Sequence, residues 1–180
     1  RRGVDASAET CPHYLLLTLD DLERIGPAAK CAPPLRDEAE RERMWRMVAD
    51  GFVDFISSDH SPCPAEWKSI GPDGSFFDIW GGIAAAQSSL ELMVGEGLRR
   101  GLTLPAIAKL LADGPARRFG FSRKGRIEPG FDADLAVVDL NRRYVLERDH
   151  LLQRHKHNPS LGRTIRCKVM KTFVRGRLVY

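Results

Sequence analysis

No C-x-x-C pair occurs in the 180 residues. The four cysteines, Cys11, Cys31, Cys63 and Cys167, stand far apart, which excludes a zinc knuckle and a disulfide framework. Thiols left unpaired fit a reducing compartment, so a cytoplasmic location is expected. Long apolar runs are missing too. None approaches the ~20 residues of a membrane span, and no signal peptide is visible. Aromatic residues are scarce at 8%, and the densest basic stretch, Arg154 to Arg166, has none interleaved. That speaks against nucleic acid as a partner, and the net charge of +4 reads as solvated surface. Repeats and low-complexity tracts are absent. So is an initiator methionine: Arg1-Arg2-Gly3-Val4-Asp5 reads as a helix end, a glycine turn and the start of a strand. The chain is therefore expected to be the carboxyl-terminal part of something longer.

What is present is organised around Ile56-Ser57-Ser58-Asp59-His60-Ser61-Pro62-Cys63. Phe52 to Ile56 read as a buried strand, and an acid, an imidazole and a hydroxyl follow where it would emerge. Upstream, Val4 to Glu9 runs into Thr10-Cys11-Pro12-His13-Tyr14, a second strand with a proline-marked end. Thr18 facing Asp21 caps a short helix. Lys30-Cys31-Ala32-Pro33-Pro34-Leu35-Arg36 must be extended, because each proline disfavours helix in the residue before it. Asp37 to Asp50 is a helix with an acidic first turn and Met44, Trp45 and Val48 on one face, stopped by Gly51. Strand, loop, helix, strand is the α/β signature.

Pro62 to Trp80 is a long loop of the kind that often serves as a functional lid. Gly81-Gly82 then open a helix from Ile83 to about Arg99, burying Ile83, Ala86, Leu90, Met93, Val94 and Leu98. Leu104 to Leu111 is a shorter helix, and Pro115 to Phe119 adds a turn. From about residue 124 the texture becomes all-β, with strands at Ala133 to Asp139 and Tyr144 to Leu146 and a hairpin whose arms, Lys168 to Val174 and Leu178 to Tyr180, flank Arg175-Gly176-Arg177. Two units are expected, 1–123 and 124–180.

His13 ends one strand and Asp59 ends the next. In a parallel sheet those ends are neighbours at one rim, where α/β folds place their chemistry. A neutral imidazole and a carboxylate there suit a zinc-like ion; they equally suit a hydrogen-bonded polar cap. Asp59 could also take a proton from water and return it to a leaving nitrogen. His60 could position the group attacked or simply bond backbone, and Ser61 could donate to a ligand or cap the loop. A Ser–His–Asp triad is unsupported, because contiguous residues point in different directions. Cys31 and Cys63 read as buried small residues, and Trp80 as a pocket wall or as core. His150, His155 and His157, among Arg and Lys, read as surface.

Four ordered motifs then become recognisable: Glu9-Thr10-Cys11-Pro12-His13-Tyr14, Lys30-Cys31-Ala32-Pro33-Pro34-Leu35-Arg36, Ser58-Asp59-His60-Ser61-Pro62-Cys63 and Trp80-Gly81-Gly82-Ile83. With the tail motif Gly125-x-Ile127-x-Pro129-Gly130-x-Asp132-Ala133-Asp134-Leu135 and the closing Lys171-Thr172-Phe173-Val174-Arg175-Gly176, the chain resembles the cyclic amidohydrolases from end to end, and among them the allantoinase branch. The resemblance implies the carboxyl-terminal part of a (β/α)₈ TIM barrel, with residues 1–120 supplying the last two strands and their helices. The tail would be half of a β-sandwich.

It also implies two divalent metal ions, zinc by expectation, bridged by hydroxide and a carboxylated lysine. His13 would be a ligand; Asp59 would be a ligand and the general base and acid. Ser61, His60, Trp80 and the backbone at Cys31 and Ala32 would line the substrate pocket. The family's His-x-His pair, its bridging lysine and a further histidine have no counterpart in this chain, so the chain alone is not expected to build the binuclear centre or to be active. The implied substrate is a small cyclic ureide, hydrolysed as allantoin to allantoate, in a homotetramer. Dihydroorotases carry Asn at the Ala32 position and His at the Cys63 position, and hydantoinases and dihydropyrimidinases tend to carry Ser at the former. A hydantoinase-type enzyme and a non-catalytic scaffold subunit remain the alternatives.

Overall fold

The computed structural model describes residues 3–180. The helix end read at Arg1-Arg2 lies outside the described residues. The first strand, β1 (Glu9–Thr10), runs parallel to β2 (Phe55–Ile56), with Glu9 opposite Phe55 and Thr10 opposite Ile56. Hydrogen bonds from Asp54 N to Ala8 O and from Ser57 N to Thr10 O lengthen the ladder at both ends. The connection between the strands holds α1 (Pro12–Leu16), α2 (Leu19–Ile25) and α3 (Glu38–Ala49). This is an α/β arrangement: parallel neighbours need a crossover, and helices supply it.

Two of the strands expected from sequence are shorter than their apolar runs. The β1 strand stops at Thr10, and Pro12 opens a helix instead of closing a strand. At the first helical position its missing N–H costs nothing and its fixed φ already suits the helix. His13 thus sits in a helical first turn. Likewise Phe52 lies outside β2 and is 65% exposed. The β2 ladder has only the length of β1 to pair with.

Local capping follows the sequence closely. The Thr18 side chain accepts from Asp21 N while Asp21 accepts from Thr18 N, a reciprocal box at the start of α2. Asp37 accepts from Glu40 N at the start of α3, and Gly51, at φ +74°, ends that helix in the left-handed conformation glycine adopts freely. Trp45 and Val48 are buried and Met44 packs against them. The Trp45 indole donates to Leu15 O at 2.7 Å, tying α3 to α1.

The next helix, α4 (Ala86–Arg99), starts later than expected. Ile83 bridges His60 in parallel fashion, so this stretch runs beside the Asp59-His60 segment before the helix begins at Ala86. Ala86 and Leu98, expected on the buried side, are exposed; Met93 and Val94 are buried. After α4 come α5 (Leu104–Ala108), a π-helical turn at Lys109–Asp113, and α6 (Gly114–Arg118).

Arg100, just past α4, joins α4 to α3. Its guanidinium bonds both Glu42 oxygens, at 2.6 and 2.7 Å, and lies 4.8 Å from the Trp45 ring centroid. The hydrogen bonds from Arg100 pull the Glu42 carboxyl from its ordinary 4.5 down to about 2. A depressed carboxyl stabilises the fold above its ordinary value and loses that contribution as the pH falls toward the folded value. Acid unfolding should therefore steepen between pH 4.5 and about 2, and Glu42→Gln should flatten that segment. Because Glu42 faces solvent, the difference in a pH series of denaturation midpoints should be only about 1 kcal/mol.

The tail forms two small antiparallel sheets. One has the order β3 (Leu135–Asp139), β6 (Lys168–Val174), β7 (Arg177–Leu178); the other pairs β4 (Tyr144–Val145) with β5 (Thr164–Ile165). The two-residue Arg175-Gly176 turn has φ +50° and +80°, the primed geometry that matches strand twist. Leu146, Leu151 and Ile165 from the tail lie in the same buried cluster as Leu15, Trp45 and Met93.

Candidate active site

The parallel pairing of β1 and β2 brings their exits together. His13, in the first turn of α1, is 3% exposed. Its Nε2 lies 3.8 Å from Asp59 Oδ2, which is beyond a hydrogen bond. Burial holds the imidazole below its ordinary pKa, against the opposing pull of Asp59. That shift favours the neutral form of the ring facing Asp59.

Both ring nitrogens of His13 are buried without a hydrogen-bond partner, as is Thr10 Oγ1. An unpaired buried polar atom costs about 1–3 kcal/mol, so Nε2, the ring nitrogen facing Asp59, calls for a ligand. A divalent ion fits at that nitrogen and leaves Nδ1 unpartnered. Zinc binds imidazole nitrogen and carboxylate oxygen at roughly 2.0–2.2 Å each, which is compatible with a 3.8 Å separation. Cys11 completes a group of three, its Sγ within 4.8 Å of the other two ligand atoms. Sequence reading missed Cys11, treating the cysteines as isolated. Its place two residues before His13, at the end of a strand, was the available signal. Burial pushes its thiol up to about 11, and its Sγ lies 3.8 Å from Ser57 Oγ.

Asp59 is half-exposed on the rim, at φ +44°. Aspartate is one of the few residues that tolerate this left-handed region, and such backbone strain concentrates where a side chain must be aimed. His60 is spent on backbone: its Nδ1 accepts from both Ala85 N and Ala86 N at 3.1 Å, at the start of α4. His60 itself is exposed, and its ring holds the loop to the helix.

Ser61, Trp80, Cys31 and Ala32 gather around Gly81-Gly82. A methyl group at Gly82 would stand 2.4 Å from Ser61 Oγ and 2.6 Å from Trp80 Nε1, and one at Gly81 would meet Ala32 Cβ at 3.5 Å. At Gly82 only glycine lets the segments approach so closely, whereas the contact at Gly81 is an ordinary van der Waals one. Tyr14 donates to Pro33 O at 2.8 Å, fastening the Ala32 loop beside His13. Cys31 and Cys63 are buried. Of the tail histidines, His150 is exposed, while His157 is partly buried with Nε2 2.7 Å from Cys63 O. That bond corrects the surface reading of His157 and ties the tail to the loop after Ser61.

The family model described as "Amidohydrolase family" matches residues 13–179. The chain belongs to the amidohydrolase family. Among curated relatives, this amidohydrolase chain is 51% identical over 180 residues to an allantoinase of Rubrobacter xylanophilus, covering 99% of this chain and 39% of the relative. It is 47% identical over 181 residues to an allantoinase of Deinococcus radiodurans, covering 100% and 39%. Among solved structures, the L-hydantoinase (dihydropyrimidinase) of Arthrobacter aurescens superposes with a TM-score of 0.93 at 34% identity, covering 98% of this chain and 40% of that one. A D-hydantoinase from a Thermus species follows at 0.91 and 31%, with the same shares. The amidohydrolase chain thus spans about two fifths of the length of the relatives it matches. Among the described residues no helix is long and apolar enough to cross a membrane.

Proposed function

We propose that this amidohydrolase chain supplies one side of the active site of a metal-dependent enzyme that hydrolyses a cyclic amide, with allantoin as substrate and allantoate as product. The observation that carries the reading is the buried, unpartnered His13 imidazole facing the Asp59 carboxylate across adjacent parallel strand ends. Relatives named allantoinase at 44–51% identity support the substrate. In this reading β1 and β2 are the last two strands of a (β/α)₈ barrel. Residues 124–180 are half of a β-sandwich, distinct from 1–123 although they share buried contacts with it.

His13 and Asp59 would hold a divalent ion, zinc by the chemistry of the donor set, as part of a binuclear centre completed by residues outside this chain. Such an ion would supply an acidified water, its pKa lowered to about 7. Asp59 takes a proton from the attacking water and delivers it to the departing ring nitrogen as the C–N bond breaks. His60 holds the loop after Asp59 against α4 and so fixes the carboxylate. Ser61, Trp80 and the backbone at Cys31 and Ala32 orient the ring and exclude water. The assembly is a cytoplasmic homo-oligomer, a tetramer by resemblance.

A hydantoinase-type activity is the second reading, favoured by the superposition on hydantoinases. Ala32 stands against it, since a serine there would offer the ring a further hydroxyl. Steady-state assays of a full-length enzyme carrying this chain against allantoin, hydantoin and dihydroorotate decide the matter. Allantoin should give the highest kcat/KM by at least about 100-fold, the discrimination a pocket achieves between ligands that differ by one small group. Preference for hydantoin would transfer the assignment to the second reading.

A further inference from the structure

The loop from Pro62 to Trp80 has little apolar anchorage of its own. Cys63 and Ile79 are buried, but Trp67 and Phe77 are 54% and 90% exposed. Two ammonium groups hold it instead. Lys30 donates to Phe76 O at 2.7 Å, Phe77 O at 3.0 Å and Ile79 O at 2.6 Å. Those bonds occupy all three of its N–H donors on the turn that leads into Trp80. Lys68, only 8% exposed, donates in turn to Lys30 O at 3.0 Å and Trp80 O at 2.9 Å. The two lysines therefore cross-link the Lys30 segment to both ends of the turn before Trp80. Among the described residues neither forms a salt bridge. Taking an ammonium out of water is costly unless its donors are met, and main-chain carbonyls meet them here only while the loop keeps this shape.

What the clamp fixes is the rim. Trp80 Nε1 lies 3.5 Å from Ser61 O, and Gly81-Gly82 sit against Ala32 and Ser61 with no room for a methyl group at Gly82. We propose that Lys68 and Lys30 are positioning residues, which hold Trp80 and Gly82 against Ser61 so that the substrate ring meets a preformed wall. This inference rests on the cyclic-amide reading of the site. Neither lysine touches His13 or Asp59, so the clamp governs binding of the ring and leaves the proton transfers alone.

Lys68→Met and Lys30→Met in the full-length enzyme test this. Each should raise KM at least about tenfold while kcat stays within about threefold, the signature of lost ground-state and transition-state binding in equal measure. Amide hydrogen exchange should accelerate at least about tenfold in residues 76–82 and remain unchanged in α4, because the opening is local. Lys68→Arg should recover part of the KM. An unchanged KM, or exchange rising evenly through α1, α3 and α4, would overturn the positioning role. Should Lys68→Met fail to fold, Lys30→Met decides alone, since that side chain is only partly buried. If the unmodified enzyme hydrolyses no cyclic amide, the substrate reading fails, and the exchange pattern by itself decides whether the clamp exists.

Discussion

Asp59→Asn should lower kcat by at least about 10³-fold while leaving the fold intact, within the range a general acid–base group contributes. The substitution is well suited to this backbone. Asp59 lies at φ +44°, where asparagine is as comfortable as aspartate and alanine is not. The side chain is 52% exposed, so no buried contact is lost, and the amide occupies the same volume without accepting a proton. Because Asp59 is also a proposed ligand, metal content should be measured alongside kcat and the thermal midpoint. A variant that folds normally and still turns over substrate would remove Asp59 from the proton path. Loss of turnover with the metal retained would place its main role in proton transfer.

Trp45→Ala should destabilise the protein by about 3–5 kcal/mol, the usual cost of truncating a large buried aromatic. Its ring is 5% exposed. Three losses coincide there. The cavity removes contacts to α1, the Leu15 carbonyl loses its 2.7 Å donor, and the Arg100 guanidinium loses the ring it stacks on. Trp45→Phe, which keeps a ring and drops only the N–H, should cost about 1–3 kcal/mol, chiefly for the unpaired carbonyl. Denaturant midpoints with an unchanged m-value would check both. A cost below about 1 kcal/mol for the alanine variant would mean that the α1–α3 contact is not part of the stable core. Since α1 carries His13, a proposed ligand, the same variant should also lower the metal content of the full-length enzyme.

The sequence by itself determined whatever is decided within a few residues. Thr18 and Asp21 cap α2, Asp37 caps α3, Gly51 ends it, and Arg175-Gly176 turn the last hairpin, because each depends on one backbone angle or one short hydrogen bond. The six motifs carried the family for the same reason: each is contiguous. Strand lengths were less legible. An apolar run such as Phe52 to Ile56 shows what can be buried, whereas the length of β2 depends on its partner β1.

Only the tertiary structure decided the rest. It placed Cys11 beside His13 and Asp59, turned His60 into the cap of α4, and gave Lys30 and Lys68 the carbonyls of a loop that composition marked merely as long. It also joined the tail to the helices through Leu146, Leu151 and Ile165 and drew His157 onto the Cys63 carbonyl. These pairings join residues distant along the chain, and sheet register and helix packing fix their separations. No local preference encodes them, because a side chain's propensity is silent about which distant group will stand opposite it.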